Sequence, residues 1–203
     1  MHGAGAHRGI SAIATRFCRD RRGVAAIEFA FIVPALLIMY FITMEASQAI
    51  ETSKKVSRIG SMVADLVTQQ TSVKKADLDA IMKIGTSTLQ PYNRSTPTII
   101  ITGIQITDEA SPKVKVAWSR KLVGTTYSAD AAKDSITTIP ATLNIRNTFL
   151  VRVESDLGYK PIITWSADGS KTLGLTSAFN NISMGETYYL RPRRGPSVPC
   201  SDC

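Results

Sequence analysis

Histidine is the scarcest chemistry-bearing residue in this chain. Only His2 and His7 occur, both far ahead of the first long apolar run. The rest of the chain therefore lacks the commonest general base and the imidazole metal ligand. Hydrolase and phosphate-binding signatures are missing too: no G-x-S-x-G, no glycine-rich phosphate loop, no H-E-x-x-H. Asp77/Asp79 and Asp108/Glu109 fall at a predicted helix start and a predicted turn, where acids are usually solvated. Nothing here supports an enzyme, and no catalytic residue, cofactor or metal is expected. Aromatics are sparse at 7 %, and no basic stripe interleaves with them, so nucleic acid is not an expected partner.

The formal charge is +8, but it is unevenly spread. Arg8, Arg16, Arg19, Arg21 and Arg22 crowd into residues 1–23 against Asp20 alone, and the remainder is only mildly basic. That cluster abuts the dominant feature, Arg19–Ile50. From Val24 to Met44 only Glu28 is charged. As a helix this run spans about 30 Å, the thickness of a bilayer core. Arg19, Arg21 and Arg22 set its topology by the positive-inside rule: N-terminus cytoplasmic, the rest of the chain across the membrane. A cleaved secretory signal is the rival reading, since Ala46-Ser47-Gln48-Ala49 offers small residues, although the apolar run is long for one.

Three cysteines remain to be placed. Cys18 lies in the leader, while Cys200 and Cys203 form a C-x-x-C on the oxidising side of the predicted topology. A structural disulfide is the favoured reading. Redox-active thiols are the second. Zinc is the least favoured, because one C-x-x-C supplies two ligands and no histidine is nearby.

Beyond the span, Ala49, Thr52, Val56, Ile59, Val63 and Leu66 recur at three- and four-residue steps, with Glu51, Lys54, Lys55, Arg58 and Asp65 off that seam. The helix is expected to continue as an amphipathic one to about Thr68. Its seam packs on its own sheet or on neighbouring subunits, the former favoured. Pro34 implies a kink, tolerated in a membrane helix. A second helix is predicted in Ser72–Pro91 from Leu78, Ile81, Met82, Gly85 and Leu89, with Pro91 ending it. Strands are predicted at Thr98–Thr107, Lys113–Ser119, Asn147–Asp156 and Glu186–Arg191, with an edge strand at Pro161–Trp165. The first two form an antiparallel hairpin with one wet face, Val114, Val116 and Trp118 sharing the other. Residues 120–145 read as a polar connection and 166–185 as loop. The fold class is α+β: a long N-terminal transmembrane and amphipathic helix packed on a small antiparallel sheet. The expected organisation is a basic cytoplasmic leader (1–23), a transmembrane helix (24–44), its amphipathic continuation (45–70), an α+β domain (71–191) and a Pro/Arg-rich tail with the cysteine pair (192–203).

Glu28 stands out. At the centre of a membrane helix an acid costs about 2.5–3.5 kcal/mol, and less this near the interface. The run Gly23-Val24-Ala25-Ala26-Ile27-Glu28-Phe29 follows Arg21-Arg22 directly. It resembles the processing site of type IV prepilins and pseudopilins. More narrowly, Gly23–Leu37 with Pro34 resembles the start of TadE-like (TadE/TadG) proteins of the tight-adherence, or Flp, pilus system. The end, Tyr188-Tyr189-Leu190-Arg191-Pro192-Arg193 followed by Cys200-x-x-Cys203, resembles that family's C-terminus. The resemblance implies a pilin-like fold and a non-enzymatic minor pilin or pseudopilin of the bacterial inner membrane, with its α+β domain in the periplasm. It implies prepilin peptidase cleavage between Gly23 and Val24, with Glu28 aligning the subunit during assembly. The implied partners are pilins and other pilus-assembly proteins met through the N-terminal helix, the peptidase, the lipid bilayer, and further copies in a homo- or hetero-oligomer. The chain is too short for the extra domain of longer TadG-type relatives. The alternative from another class is a bitopic periplasmic thiol-disulfide protein using Cys200 and Cys203. Intact mass of the protein from native membranes separates these readings. A start at Val24 is expected; a start at Met1 rules out processing, and one near residue 48 rules out the anchor.

Overall fold

The computed structural model describes residues 23–92, 94–161 and 182–203. Arg19, Arg21 and Arg22, with the rest of the leader, lie outside the described residues. So do positions 162–165 of the predicted edge strand and 166–181 of the predicted loop.

Helix α1 is continuous from Val24 to Thr68, 45 residues, with Pro34 inside it. A proline there removes one amide donor, leaving the carbonyl one turn back without its usual bond. Two compact units divide this helix, Met1–Ala46 and Ser47–Cys203. In the first, the apolar side chains are exposed all round, Phe29 at 67 % and Phe31 at 76 %. In the second, the predicted seam is one-sided. Thr52, Val56, Ile59 and Val63 are buried, Ala49 and Leu66 pack against them, and Glu51, Lys54 and Arg58 are exposed.

Helix α2 covers Lys75–Ser87. It is shorter than predicted at both ends. Val73 is held in an isolated parallel bridge to Cys200, so its backbone is taken. At the other end Thr86 and Ser87 hydroxyls bond back to the Lys83 carbonyl and Thr88 to that of Gly85. Such local bonds compete with helix continuation, so the helix stops before Pro91 is reached.

Five strands make one antiparallel sheet: β1 (Thr98–Ile106), β2 (Val114–Val123), β3 (Thr126–Ser128), β4 (Phe149–Gly158) and β5 (Ser183–Leu190), in the order β3-β2-β1-β4-β5. The fold is α+β. Three expectations need correction. First, β2 runs on to Val123 and turns through Gly124, whose φ of 63° suits a tight hairpin, into β3. Second, β5 begins at Ser183, inside the stretch read as loop. Third, the register shifts between Gly103 and Ile104, so Ala117 is bulged out. The bulge splits the predicted face of β2. Trp118 packs in the core with the helices, while Val114 clusters on the far face with Ile104, Ile106 and Leu150. That far face is therefore not uniformly wet. Ile139 and Leu143 of the 129–148 connection pack over it, and Val116 trades backbone bonds with Asp134 and Ser135.

The main core lies between the helices and one sheet face: Val56, Ile59, Val63 and Val67 of α1, Leu78 and Met82 of α2, and Ile99, Ile101, Trp118, Val151 and Val153 of the sheet. Each such fully buried side chain contributes about 1.5–3 kcal/mol. Glycines let the layers meet. A Cβ on Gly60 would lie 2.7 Å from the Tyr188 ring, and one on Gly85 would lie 2.9 Å from Val63. A Cβ on Gly103 would meet the indole of Trp118, 2.6 Å from its Nε1. Gly103→Ala is expected to lower stability by about 1–3 kcal/mol. Gly158→Ala, where a Cβ meets nothing within 4 Å, should change it by under about 0.5 kcal/mol. Urea unfolding of the full chain in detergent, followed by tryptophan emission, measures both.

Candidate functional site

Two regions could carry function, the exposed apolar helix and the C-terminal tail. In the helix, Ile27 N–H donates to the Gly23 carbonyl at 3.1 Å, so Gly23 closes the first turn. Val24 and Glu28 follow, both exposed, four residues apart and hence on one helix face. Glu28 stands among exposed Ile27, Phe29, Phe31 and Ile32. Among the described residues α1 is the one helix long and apolar enough to cross a membrane, and none of its apolar window is buried. A surface of this kind needs lipid or other helices around it.

The tail is fastened at several points. Arg193 N–H donates to the Thr68 carbonyl at the end of α1, and its guanidinium pairs with Asp65. Trp118 Nε1 donates to the Val198 carbonyl at 2.7 Å. Val73 N–H donates to Pro199 O, and Ser201 N–H returns a bond to Val73 O. Cys200 and Cys203 are at disulfide-bonding distance, with Cα atoms 5.6 Å apart. The short ring they close holds Asp202, whose Oδ1 accepts from Lys75 N–H at the first turn of α2. An acid there satisfies an otherwise orphaned donor and favours the helix dipole. The cysteine sulfurs and the Asp202 carboxylate lie within 4.8 Å of one another. With the sulfurs joined, only the carboxylate remains as a metal ligand.

The acids read as solvated are engaged. Asp77 accepts from Lys74 N–H at 2.9 Å. Asp79 takes both a 2.8 Å and a 2.7 Å bond from the Arg120 guanidinium, tying α2 to β2. The Asp79 hydrogen bonds push the Arg120 pKa above its ordinary value, against the opposing effect of burial, and Asp202 and Tyr127 add attraction. The sequence marks Asp79 only as a solvated acid and does not mark Arg120, because their pairing spans 41 residues. Asp108 pairs with Arg146 and Glu109 with Lys113, both at exposed positions. A cleft of about 530 Å³ between the end of α2 and the β2–β3 turn is lined by Leu89, Tyr92, Leu122 and Tyr127, with Lys83 its one charged residue.

The arrangement defines a class: a helix long and apolar enough to anchor in a bilayer, followed by an α+β domain. Residues 23–58, the segment that carries Gly23, Glu28 and Pro34, match the family described as TadE-like protein. The match ends within α1, before the sheet begins. No curated protein and no solved structure matches the chain.

The tail geometry makes a prediction about the cysteines. Closing so short a ring is worth about 2 kcal/mol at most, and the tail keeps its bonds to Trp118, Val73 and Thr68. Reduction, or the C200S/C203S double variant, should shift the urea midpoint by no more than that and leave the fold intact. A native-state thiol titrating near pH 7 after reduction would favour the exchange alternative instead.

Proposed function

We propose that this chain is a non-enzymatic minor pilin or pseudopilin of the bacterial inner membrane, acting in assembly of Flp-type adhesive pili. The observation that carries the reading is the first half of α1. Its apolar run, Val24–Met44, is exposed on every side, follows Gly23 directly and bears one acid, Glu28, in the TadE-like stretch. In this reading the basic leader stays cytoplasmic, prepilin peptidase cuts after Gly23, and Ser47–Cys203 lies in the periplasm and recognises partners.

Cleavage creates an α-ammonium on Val24. In a low-dielectric setting an unpaired charge is penalised heavily. The Glu28 carboxylate, one turn along, neutralises that charge, and between subunits it does so in one register only. Pairing across subunits rewards correct alignment, and pairing within one chain makes the processed end compatible with apolar surroundings. Neighbouring pilins and assembly proteins then cover the exposed apolar side chains. The seam from Thr52 to Val63 is already occupied by the chain's own sheet, which leaves the N-terminal part of α1 for these contacts.

The thiol-exchange alternative has less support. Cys200 is bridged to Val73 and packs against the core, and the pair sits in an extended tail instead of the helix start usual for redox motifs.

Glu28→Ala is expected to insert as well as the parent, judged by carbonate-resistant membrane association. It should reduce surface piliation about tenfold or more, the effect of losing about 1.4 kcal/mol per alignment. Glu28→Gln should behave like Glu28→Ala. Normal piliation by a stable, inserted Glu28→Ala protein would sink the alignment role.

A further inference from the structure

We propose that Arg94, seated on Tyr92 and Tyr159, binds the phosphate of an anionic lipid headgroup at the surface of the membrane that α1 enters. The proposal rests on the anchoring role proposed above.

Tyr92 and Tyr159 stack with ring centroids 5.7 Å apart and planes 19° apart. The Arg94 guanidinium lies 4.6 Å from the Tyr92 centroid and 5.9 Å from that of Tyr159. This platform is packed and hydrogen-bonded. Both rings are buried, and Tyr92 Oη bonds Ser95 Oγ at 2.9 Å and accepts from Lys160 N–H at 2.8 Å. Arg94 Nη2 reaches Gln48 Oε1 at 3.4 Å, a long bond to a neutral acceptor. Its Nε is buried with no hydrogen-bond partner, and among the described residues no carboxylate pairs with it. Arg120 and Arg152, also partly buried, each meet an acid, although Arg152 Nε, like that of Arg94, makes no hydrogen bond.

Position supplies the ligand class. Gln48 is four residues beyond Met44 on the same continuous helix, about 6 Å of rise past the end of the apolar run. That is the depth of lipid headgroups. Lys160, exposed and with its backbone on Tyr92, adds a second cation. The acids of this stretch are committed: Glu51 pairs with Lys55 at 3.2 Å, and Glu45 is buried and engaged. A guanidinium fork matches phosphate geometry, and tyrosines suit the membrane interface. Stacking fixes the fork before the lipid arrives, which lowers the entropy lost on binding.

The test uses the full chain in nanodiscs of phosphatidylcholine with a minority of phosphatidylglycerol. Lipid retained on release is counted by native mass spectrometry. The parent should retain phosphatidylglycerol above its bulk share. R94Q should lose that enrichment by about fivefold, the effect expected of one cation at an anionic surface. R94K should keep part of it, and R146Q, at the exposed Asp108 pair, should keep all of it. Unchanged circular dichroism shows that R94Q still folds. Equal enrichment in R94Q and parent overturns the site. Displacement of the lipid by millimolar inorganic phosphate overturns the lipid assignment in favour of a free anion. Failure of the parent to enter nanodiscs of any composition overturns the anchoring role, and this inference with it.

Discussion

One helix has to satisfy two surroundings, and the rest of the molecule follows from that. The first part of the helix cannot be stable in water with phenylalanine and leucine on every side. Nor can its second half lie in lipid with Lys54, Arg58 and Glu51 exposed. The change occurs near Met44–Gln48, where the apolar surface narrows from the whole circumference to one seam. Below that point the helix needs company from outside the domain. Above it, Val56, Ile59, Val63 and Val67 find company in the chain's own sheet.

The sheet meets that seam closely because side chains are missing where backbones approach. Gly60 admits the Tyr188 ring, Gly85 admits Val63, and Gly103 admits Trp118. Polar groups at the same contacts are satisfied instead of excluded. Ser155 Oγ donates to the Val56 carbonyl at 3.2 Å, and Ser57 and Tyr188 share a 2.5 Å bond. The C-terminal tail then joins the ends of the helices. It bonds to Thr68 at the close of α1, to Val73 between the helices, and to Lys75 at the opening of α2. The tail thus fastens the domain at the C-terminal end of α1. The Arg94–Tyr92 platform sits beside Gln48.

Much of this was legible before the coordinates. The seam from Ala49 to Leu66 follows from helical spacing, which is local and strong over many residues. Strands β1 and β4 announce themselves through isoleucine and valine density. What escaped was non-local. The bulge at Ala117 sends Val114 and Trp118 to opposite faces, although simple alternation puts them on one. Strand β3, only three residues long, is too short to show a period. The start of β5 at Ser183-Met184-Gly185 carries little strand propensity and is decided by pairing with Asp156, Leu157 and Gly158. Asp79 looked solvated because Arg120 is far away in sequence.

By itself the sequence determined the apolar run, its single acid after a glycine, the proline within it, and the amphipathic continuation. These are contiguous patterns, readable because helix geometry relates neighbours three and four residues apart. They also carry the family match, over residues 23–58. Only the tertiary structure decided which polar residues serve the fold. It gave Asp79 to Arg120, Asp202 to the start of α2, and Trp118 to the Val198 carbonyl, and it left Arg94 stacked, with no carboxylate paired to it among the described residues. The reason is distance along the chain: such pairings join residues 40 to 130 or so positions apart, and only closure of the whole core brings them within hydrogen-bonding reach.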